Sequence, residues 1–370
     1  MPVFKLRTAA TTALFLASSL LAPLTLSYAQ GAAPAGAPFT LDWTQGVCKH
    51  CNSGQQLGLV RFTEAGGVWG VAFWPSAGEE FSGGSIAVHS VDAGRTWKQF
   101  SLTMTHTAPP ALSFADALHG WISGLSPNGD SWIFSTADGG RHWARVSEMA
   151  LQGVVFVDDQ HGYGRMGNHF LRSNDGGRSW ADSEVPQLSY IDRMYFLDRH
   201  NGWLAGEDGE DAIVLRTADG GLHWEEAGVA SGRKIDEIHD VYFGDAHNGW
   251  LVTWHSKDEG ARLFYSRDGG LSWQADSGAA YQGPRNWLGG VRVAAGGVAM
   301  GFGRKDAEGS AGKGMLLYSR DRGVHWQEFD VLRAIEDCQV VGGDLMCSAL
   351  GDRPGLWLLK VHPRAVADSQ

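Results

Sequence analysis

The stretch Ser90-Val91-Asp92-Ala93-Gly94-Arg95-Thr96-Trp97 is the first of six copies of one eight-residue pattern in a chain of 370 residues. Each copy has Ser or Thr first, Asp third, Gly fifth and Trp eighth. Successive aspartates are separated by 46, 37, 44, 49 and 53 residues. A period of roughly 40–50 residues, with one supersecondary unit in each, indicates a propeller or a solenoid. The six Asp–Trp pairs are Asp92 and Trp97, Asp138 and Trp143, Asp175 and Trp180, Asp219 and Trp224, Asp268 and Trp273, and Asp321 and Trp326.

Each repeat contains four short strands. In the second repeat the strands begin at Ala111, Trp121, Trp132 and Trp143, with turn-forming residues between them. Four strands joined in this way predict an antiparallel meander, which is the blade of a propeller. The eight-residue pattern then lies in the turn between the third and fourth strands. There its Asp accepts backbone N–H groups, its Gly supplies a positive φ, and its Trp packs between neighbouring sheets.

The number of blades follows from the six patterns and from the segments of the chain that lie outside the six repeats. Six patterns predict six blades over roughly residues 68–331, and the segment Cys338 to Val361 contains about three further strands. A strand from within Phe39 to Phe62 would complete a seventh blade and close the ring, which removes exposed sheet edges. We therefore predict an all-β, seven-bladed propeller at residues 39–363, with six or eight blades as alternatives and a tail at 364–370.

The N-terminus has the features of a signal peptide at residues 1–29. Lys5 and Arg7 precede an apolar run, and Ser27-Tyr28-Ala29 supplies the small residues of a cleavage site. A transmembrane anchor is the alternative, but a proline and the cleavage site interrupt the run before about 20 apolar residues accumulate. Residues 30–38 are predicted to be a flexible linker. We expect the mature chain to be exported to the periplasm or secreted, with no membrane anchor.

The charge balance restricts the partners of the mature chain. Without Lys5 and Arg7, 28 basic residues face 41 acidic ones, a net charge of −13. This disfavours nucleic acid or anionic lipid as a general partner, although it leaves room for a local basic patch. The 51 glycines and 16 tryptophans suit repeated tight turns and aromatic packing.

The eight-residue pattern resembles the Asp-box, or bacterial neuraminidase repeat. Phrases such as Phe196-Leu197-Asp198 followed by Asn201-Gly202-Trp203 accompany the boxes. Together they resemble the photosystem II stability/assembly factor family of seven-bladed propellers, over nearly all of the mature chain. The resemblance implies a non-catalytic scaffold that binds a protein partner and assists assembly of a membrane complex from the lumenal or periplasmic side. In a photosynthetic host the corresponding compartment is the thylakoid lumen.

Sialidases and other glycan-degrading enzymes share the Asp-box, so a glycan-binding or glycoside-hydrolysing propeller is the alternative function. A sialidase requires an arginine triad, and Arg61 does not lie in the usual setting of such an arginine. Glycoside hydrolysis in general requires two carboxylates facing each other across the cleft, which a sequence does not reveal. We therefore predict that the protein is not an enzyme and uses no cofactor.

The repeated aspartates and histidines do not predict a metal site. The six box aspartates occupy equivalent positions in separate blades, so they lie apart around the rim. The acidic run Glu207 to Asp211 lacks the spacing of a calcium loop. A metal needs ligands that converge on one point. Seven of the fourteen histidines also recur at equivalent turn positions: His119, His161, His200, His247, His142, His223 and His325.

Binding residues are expected on the face opposite the boxes. In a four-stranded meander the first–second and third–fourth turns share one face, whereas the second–third loops and blade connections lie on the other. Loops on a rigid scaffold commonly carry function, with ordinary solvated loops as the alternative. The candidates, expected to converge near the central channel, are Arg193, Arg233, Lys234, Tyr281, Arg285 and Trp287.

Four cysteines in an exported chain suggest disulfides. Cys338 and Cys347 flank a hairpin whose turn is Gly342-Gly343, which places them opposite each other at a non-hydrogen-bonded pair. Cys48 and Cys51 would then pair with each other or stay reduced; alternatively they link to Cys338 and Cys347. Their Cys-x-x-Cys spacing also suits redox chemistry, whereas Asn52 in place of His argues against haem attachment. Three complete pairings remain open.

Overall fold

The computed structural model describes residues 33–48, 56–63, 67–73, 85–104, 111–125, 130–185, 187–208, 212–229, 237–255, 260–276, 286–305, 313–349 and 356–364. These residues form 28 strands and one short 3-10 turn, Ala295–Gly297. The strands make seven four-stranded antiparallel blades in a ring. The seven-bladed propeller predicted from the repeats is therefore confirmed.

The first four blades follow the chain order, with strands numbered from the N-terminus. Blade 1 contains β2 (Gln56–Phe62), β3 (Val68–Phe73), β4 (Ser85–Ser90) and β5 (Thr96–Met104). Blade 2 contains β6 (Ala111–Phe114), β7 (Gly120–Leu125), β8 (Ser131–Thr136) and β9 (Ala144–Ser147). Blade 3 contains β10 (Gly153–Phe156), β11 (Gly162–Met166), β12 (His169–Ser173) and β13 (Ala181–Glu184). Blade 4 contains β14 (Tyr190–Phe196), β15 (Gly202–Glu207), β16 (Ala212–Thr217) and β17 (Glu225–Val229).

The remaining blades complete the ring. Blade 5 contains β18 (Glu237–Phe243), β19 (Gly249–His255), β20 (Gly260–Ser266) and β21 (Ser272–Ala275). Blade 6 contains β22 (Trp287–Val293), β23 (Ala299–Lys305), β24 (Lys313–Ser319) and β25 (Gln327–Val331). Blade 7 contains β26 (Ile335–Val341), β27 (Asp344–Ala349), β28 (Leu356–Pro363) and the N-terminal strand β1 (Phe39–Cys48).

Strand β1 closes the ring by pairing antiparallel with β28, from Phe39 opposite Pro363 to Gly46 opposite Leu356. Its last two residues pair parallel with the start of β5 in blade 1. The closing strand therefore lies in the first part of the predicted interval. The second part, β2, is instead the inner strand of blade 1, so this blade begins before residue 68. Val60 and Phe62 of β2 are buried in the apolar cluster of that blade, which explains the assignment.

The residues just before β1 contact the propeller. Ala37, in the segment expected to be a linker, is 3% exposed and belongs to the same apolar cluster as Phe39. The Arg364 N–H donates a hydrogen bond to the Pro38 carbonyl at 2.9 Å. The predicted signal peptide, residues 1–29, lies outside the described residues. No helix among the described residues is long and apolar enough to cross a membrane.

Each Asp-box closes its own turn with side-chain hydrogen bonds. In the fifth box the Ser266 hydroxyl donates to Asp268 Oδ1 at 2.8 Å and accepts the Gly270 N–H at 2.8 Å. Asp268 also accepts the Ser272 N–H at 3.0 Å and the Ser272 hydroxyl at 2.6 Å. Gly270 has a φ of +89°, which favours glycine. The Ser or Thr hydroxyl donates to the Asp in all six boxes.

The boxes and the turns between first and second strands lie together on one face, which we call the box face. In blade 2 the Gly139 N–H of the box donates to the Leu118 carbonyl of the first hairpin turn at 2.9 Å. The equivalent bond in blade 5 joins the Gly269 N–H to the His247 carbonyl at 2.9 Å. The blade connections and second–third turns therefore lie on the opposite face.

Aromatic side chains join neighbouring blades. Trp203 of blade 4 stacks on Phe243 of blade 5 with ring centroids 3.5 Å apart, and its indole N–H donates to the Gly269 carbonyl at 2.9 Å. Trp121 of blade 2 makes the equivalent stack on Phe156 of blade 3 at 3.6 Å. A second-strand Trp thus fixes its blade both to the inner strand and to the box of the next blade.

A disulfide joins Cys338 of β26 to Cys347 of β27, with Cα atoms 4.1 Å apart. The two residues are directly opposite each other in the ladder. Gly342 and Gly343 form the turn with φ values of +59° and +90°. The proposed pairing of Cys48 with Cys51 involves Cys51, which lies outside the described residues.

Candidate functional site

The seven inner strands surround a central channel with a cavity of about 750 Å³. In blades 4 to 7 each inner strand carries a six-residue frame that begins with an aliphatic residue and ends with Phe or Val. In blade 4 the frame is Ile191-Asp192-Arg193-Met194-Tyr195-Phe196, and in blade 5 it is Ile238 to Phe243. The aliphatic first residue and the terminal Phe of both frames are buried in the blade packing. The intervening side chains are therefore available to line the channel.

A β-bulge interrupts the inner strands of blades 4 to 7 at the same point in this frame. In blade 4 the register shifts between Ile191 and Arg193. A bulge leaves an extra residue unpaired and re-aims its side chain. All four extra residues line the channel: Asp192, His239, Gly289 and Glu336. They lie near the start of their strands, which is the end of the channel opposite the box face.

Arg292 of β22 braces three inner strands. Its Nη1 lies 2.6 Å from Asp240 Oδ2 of β18, and its Nε donates to the Cys338 carbonyl of β26 at 2.9 Å. Its Nη2 lies 3.7 Å from Asp337 Oδ1. Arg61 of β2 completes the group because its Nη1 lies 3.1 Å from Asp337 Oδ2. Two arginines thus pair with two aspartates, and their charges cancel. We therefore assign this part of the channel wall a structural role.

Two other channel arginines are held by backbone carbonyls instead. Arg193 Nε donates to the His239 carbonyl at 2.7 Å, and Arg193 Nη1 donates to the Asp192 carbonyl at 3.1 Å. Arg165 Nη1 donates to the Ile191 carbonyl at 2.7 Å. Neither guanidinium forms an ion pair with a described residue. These bonds fix both guanidinium groups but leave some of their N–H donors unused. The unused donors suit an acceptor group of a ligand.

Burial shifts the pKa of three further channel groups. Burial raises the pKa of Asp192, and the charge of Arg193 opposes this shift. Burial also raises the pKa of Glu336, whose carboxylate lies 3.3 Å from Arg304 Nη1. Burial lowers the pKa of His239, with Glu237 opposing, so the imidazole is neutral at pH 7. The His239 ring lies nearly parallel to Trp254, with centroids 6.0 Å apart.

The channel wall has a polar side and an apolar side. Blades 4 to 7 supply most of the charged and aromatic groups described above, including Tyr242 and Trp287, and blades 1 and 3 add Arg61 and Arg165. Blades 1 to 3 supply a largely apolar wall. Among the described residues, no group of three or more His, Cys, Asp or Glu side chains is arranged to hold a metal ion. The apolar residues of the wall are Leu59, Ala111, Leu112, Val154 and Val155.

Two of the candidates from the sequence, Arg193 and Trp287, line the channel. They lie within inner strands β14 and β22, whereas we expected them in blade connections, because these strands begin earlier than the apolar runs indicate. Arg233, Lys234, Tyr281 and Arg285 lie outside the described residues.

The sequence analysis missed most of the polar channel residues. The sequence does contain a usable signal for residues of the inner strands. Their six-residue frame recurs with an aliphatic first residue and a terminal Phe or Val, and the positions between these ends carry charged residues only in some blades. The missed residues are Arg61, Arg165, Asp192, His239, Asp240, Arg292, Glu336 and Asp337.

Comparison with protein-family models finds the BNR/Asp-box repeat at residues 264–275, which contain the fifth box. No curated protein sequence matches this chain significantly.

Solved structures share the fold over most of the chain. YCF48 bound to a D1 peptide has a TM-score of 0.60 and 16% identity over 89% of this chain and 98% of that chain. YCF48 from Cyanidioschyzon merolae has a TM-score of 0.60 and 15% identity over 88% of this chain and 99% of that chain. The GH74 xyloglucanase from Xanthomonas campestris has a TM-score of 0.51 and 16% identity over 79% of this chain and 50% of that chain. At these identities the similarity establishes the fold alone.

Proposed function

We propose that this chain is an exported, non-catalytic propeller that binds a segment of a protein partner at the mouth of its central channel and assists assembly of a membrane complex. One observation carries the proposal: Arg193 and Arg165 are positioned by carbonyls and form no ion pair with a described residue. Apolar residues of blades 1 to 3 line the same cavity. A peptide segment with acidic and apolar side chains matches both surfaces.

The comparisons support this proposal at the level of architecture. YCF48, which shares the fold, has been solved with a bound D1 peptide. The Asp-box and the phrases around it point to the same kind of propeller. Export rests on the signal-peptide features of residues 1–29, and assembly of a membrane complex rests on the family resemblance.

The proposal is tested by affinity capture with the chain from Gln30 onward, using solubilised envelope extract of its own organism. We expect Arg193→Glu to abolish recovery of a specific envelope protein, because the substitution places a carboxylate where the ligand's acceptor would lie. The matched control is Arg141→Glu, which makes the same charge change on the box face, where Arg141 is exposed. Recovery that is equal for both variants, or absent for the unaltered chain, contradicts the proposal.

A glycan-active propeller is the second candidate, and the raised pKa values of Asp192 and Glu336 favour it. A raised pKa is the direction of shift that the general acid of a glycosidase requires. Trp287 and Tyr242 line the same cavity, each with an arginine guanidinium over its ring. Turnover of a glycan panel by the unaltered chain, lost in both Asp192→Asn and Glu336→Gln, would establish this candidate in place of the first.

A further inference from the structure

The corner of the channel mouth where blades 3 and 4 meet holds two arginines in fixed positions. Arg165 lies across Gly153, directly opposite it in the ladder, where an added Cβ would meet Arg165 Nε at 2.7 Å. Its Nη1 donates to the Ile191 carbonyl at 2.7 Å, and its guanidinium lies over the Tyr190 ring at 5.9 Å. Arg193 is fixed by two backbone carbonyls. Both guanidinium groups are therefore in place before a ligand arrives.

Asp192 shares this corner with the two arginines. It is the extra residue of the bulge in β14, and it lines the same cavity. The charges of Arg193 and Arg165 both act to lower the pKa of its carboxyl group, so this group lies close enough to interact with both. Its carboxylate nevertheless forms no hydrogen bond or ion pair with any residue that the structure describes. Asp192 thus adds a negative charge beside the arginines without binding them.

The remaining ionisable groups around Asp192 come from the two adjacent strands β15 and β18. Glu207 of β15 and Glu237 of β18 both act to raise the pKa of Asp192, in the same direction as burial. Glu237 Oε2 lies 3.7 Å from His239 Nε2, and burial lowers the pKa of this imidazole. Of the three carboxyl groups, Asp192 alone lines the cavity together with the arginines. It is therefore the carboxylate that an incoming anion would meet first.

We propose that Asp192 controls how tightly the channel mouth binds an acidic segment: its carboxylate competes with the carboxylate of the ligand for the field of Arg165 and Arg193, and it takes up a proton from solvent when the ligand binds. This inference rests on the proposed function, whose ligand site it describes more closely. Two carboxylates beside the same pair of arginines repel each other, and protonation of one relieves the repulsion. Affinity for the segment therefore rises as the pH falls.

The direction of this effect gives the site a means of release. Burial already raises the pKa of Asp192 in the free protein, so the proton is taken up more readily than by an exposed aspartate. At lower pH Asp192 is neutral and the two arginines attract the ligand without competition. As the pH rises, Asp192 ionises and the ligand is released. Acid thus favours capture, and neutralisation favours release.

The test uses a probe whose own charge does not change with pH. The probe is a fluorescently labelled peptide of alternating leucine and cysteic acid, because its sulfonates stay ionised while carboxylates titrate. Its affinity for the chain from Gln30 onward is measured by anisotropy between about pH 4.5 and about pH 8. We expect the affinity to rise on the order of tenfold as the pH falls, since an anion within about 4–6 Å shifts a carboxyl pKa by roughly one unit and each unit is about tenfold.

Asp192→Asn removes the competing charge at every pH. This variant is expected to bind the probe about tenfold more tightly than the unaltered chain at about pH 8 and to lose most of the pH dependence. Glu237→Gln is the matched control on the same face, because it removes a carboxylate that does not line the cavity, and it should keep the pH dependence. Asp159→Asn makes the same change on the box face and should behave like the unaltered chain.

Unfolding of the free protein supplies a readout that does not require a ligand. Folding raises the pKa of Asp192 above the value of about 3.9 in an unfolded chain. The resulting stabilisation is complete below about pH 3.9 and is lost as the pH rises through the pKa of the folded state. The denaturant midpoint of the unaltered chain should therefore fall relative to that of Asp192→Asn as the pH rises. A difference that does not change with pH overturns the inference.

Failure of this inference can be distinguished from failure of the proposed function. Full pH dependence in Asp192→Asn, or equal effects of Asp192→Asn and Glu237→Gln, overturns the inference alone. In either case, loss of probe binding and of capture in Arg193→Glu still supports the proposed function. Absence of probe binding by the unaltered chain at every pH also overturns the inference, and the capture experiment then decides the proposed function by itself.

Discussion

The aspartates of the Asp-boxes are the clearest case in which single residues determine local structure. Each carboxylate accepts hydrogen bonds from the Ser or Thr two residues before it and from groups up to four residues after it. Such bonds stabilise the charged form of the carboxyl. Asp219 shows the effect: slight burial raises its pKa, but bonds from the N–H and ring of His223, and from Thr217 and Leu222, lower it to about 2.

This shift predicts a pH dependence of stability. The pKa of Asp in an unfolded chain is about 3.9. As the pH falls, the unfolded chain therefore takes up this proton at a higher pH than the folded chain does. The stabilisation by Asp219 is therefore complete above about pH 4 and is lost as the pH falls toward about 2. Asp219→Asn is expected to lower the free energy of unfolding by about 1 kcal/mol at neutral pH, with the difference shrinking in acid.

Denaturant unfolding at a series of pH values measures this difference. Asp159→Asn is a suitable control, because Asp159 lies in a neighbouring turn on the same face and its carboxylate accepts one side-chain hydrogen bond, from Gln160. A difference between Asp219→Asn and the unaltered chain that stays constant down to about pH 2 would contradict the assignment.

At the scale of elements, the inner strands are joined by charge as well as by apolar packing. Arg292 connects β22 to β18 through Asp240 and to β26 through the Cys338 carbonyl. Asp337 of β26 then connects to Arg61 of β2. The four strands come from four consecutive blades of the ring, so this network fixes one half of the channel wall.

Removal of Arg292 should destabilise the protein strongly. Arg292→Met leaves Asp240 partly buried without its cation, and we expect a loss of about 3–5 kcal/mol in the free energy of unfolding. The double variant Arg292→Met/Asp240→Leu should recover much of this loss, because it removes both charges. Arg193→Met, in which only bonds to carbonyls are lost, is expected to lose about 1 kcal/mol or less. Denaturant unfolding distinguishes these values, and a similar loss for Arg292→Met and Arg193→Met would refute the bracing role.

At the scale of the whole molecule, the ring depends on a strand from the N-terminus. Strand β1 pairs with β28 over eight residues, from Phe39 to Gly46. Leu41 of β1 is 6% exposed within the cluster that contains Ile335 and Leu359, whereas its neighbour Thr40 faces solvent. Without β1, blade 7 would end in an unpaired edge at β28, and unpaired edges promote association between chains.

Leu41→Arg should therefore open the ring, since it places an unpaired charge in this core. We expect a loss of about 3 kcal/mol or more in stability and the appearance of oligomers through the β28 edge. Thr40→Arg introduces the same side chain on the solvent side of the strand and should have little effect. Thermal unfolding together with light scattering after size-exclusion chromatography measures both quantities. Equal behaviour of the two variants would show that closure by β1 is not required.

The sequence by itself determined the repeat, the blade, the position of the Asp-box and its use as a turn, because the bonds that define a box join residues no more than five apart. The strand that closes the ring could be placed from the sequence only within Phe39 to Phe62. Its pairing with β28 joins residues more than 300 positions apart, which no local pattern reveals. The composition of the channel was decided only by the tertiary structure. Asp240, Arg292 and Asp337 are distant in sequence and meet because the ring brings inner strands together. Bulges then turn Asp192 and Glu336 into the same cavity, an effect that depends on how each inner strand pairs with the second strand of its blade.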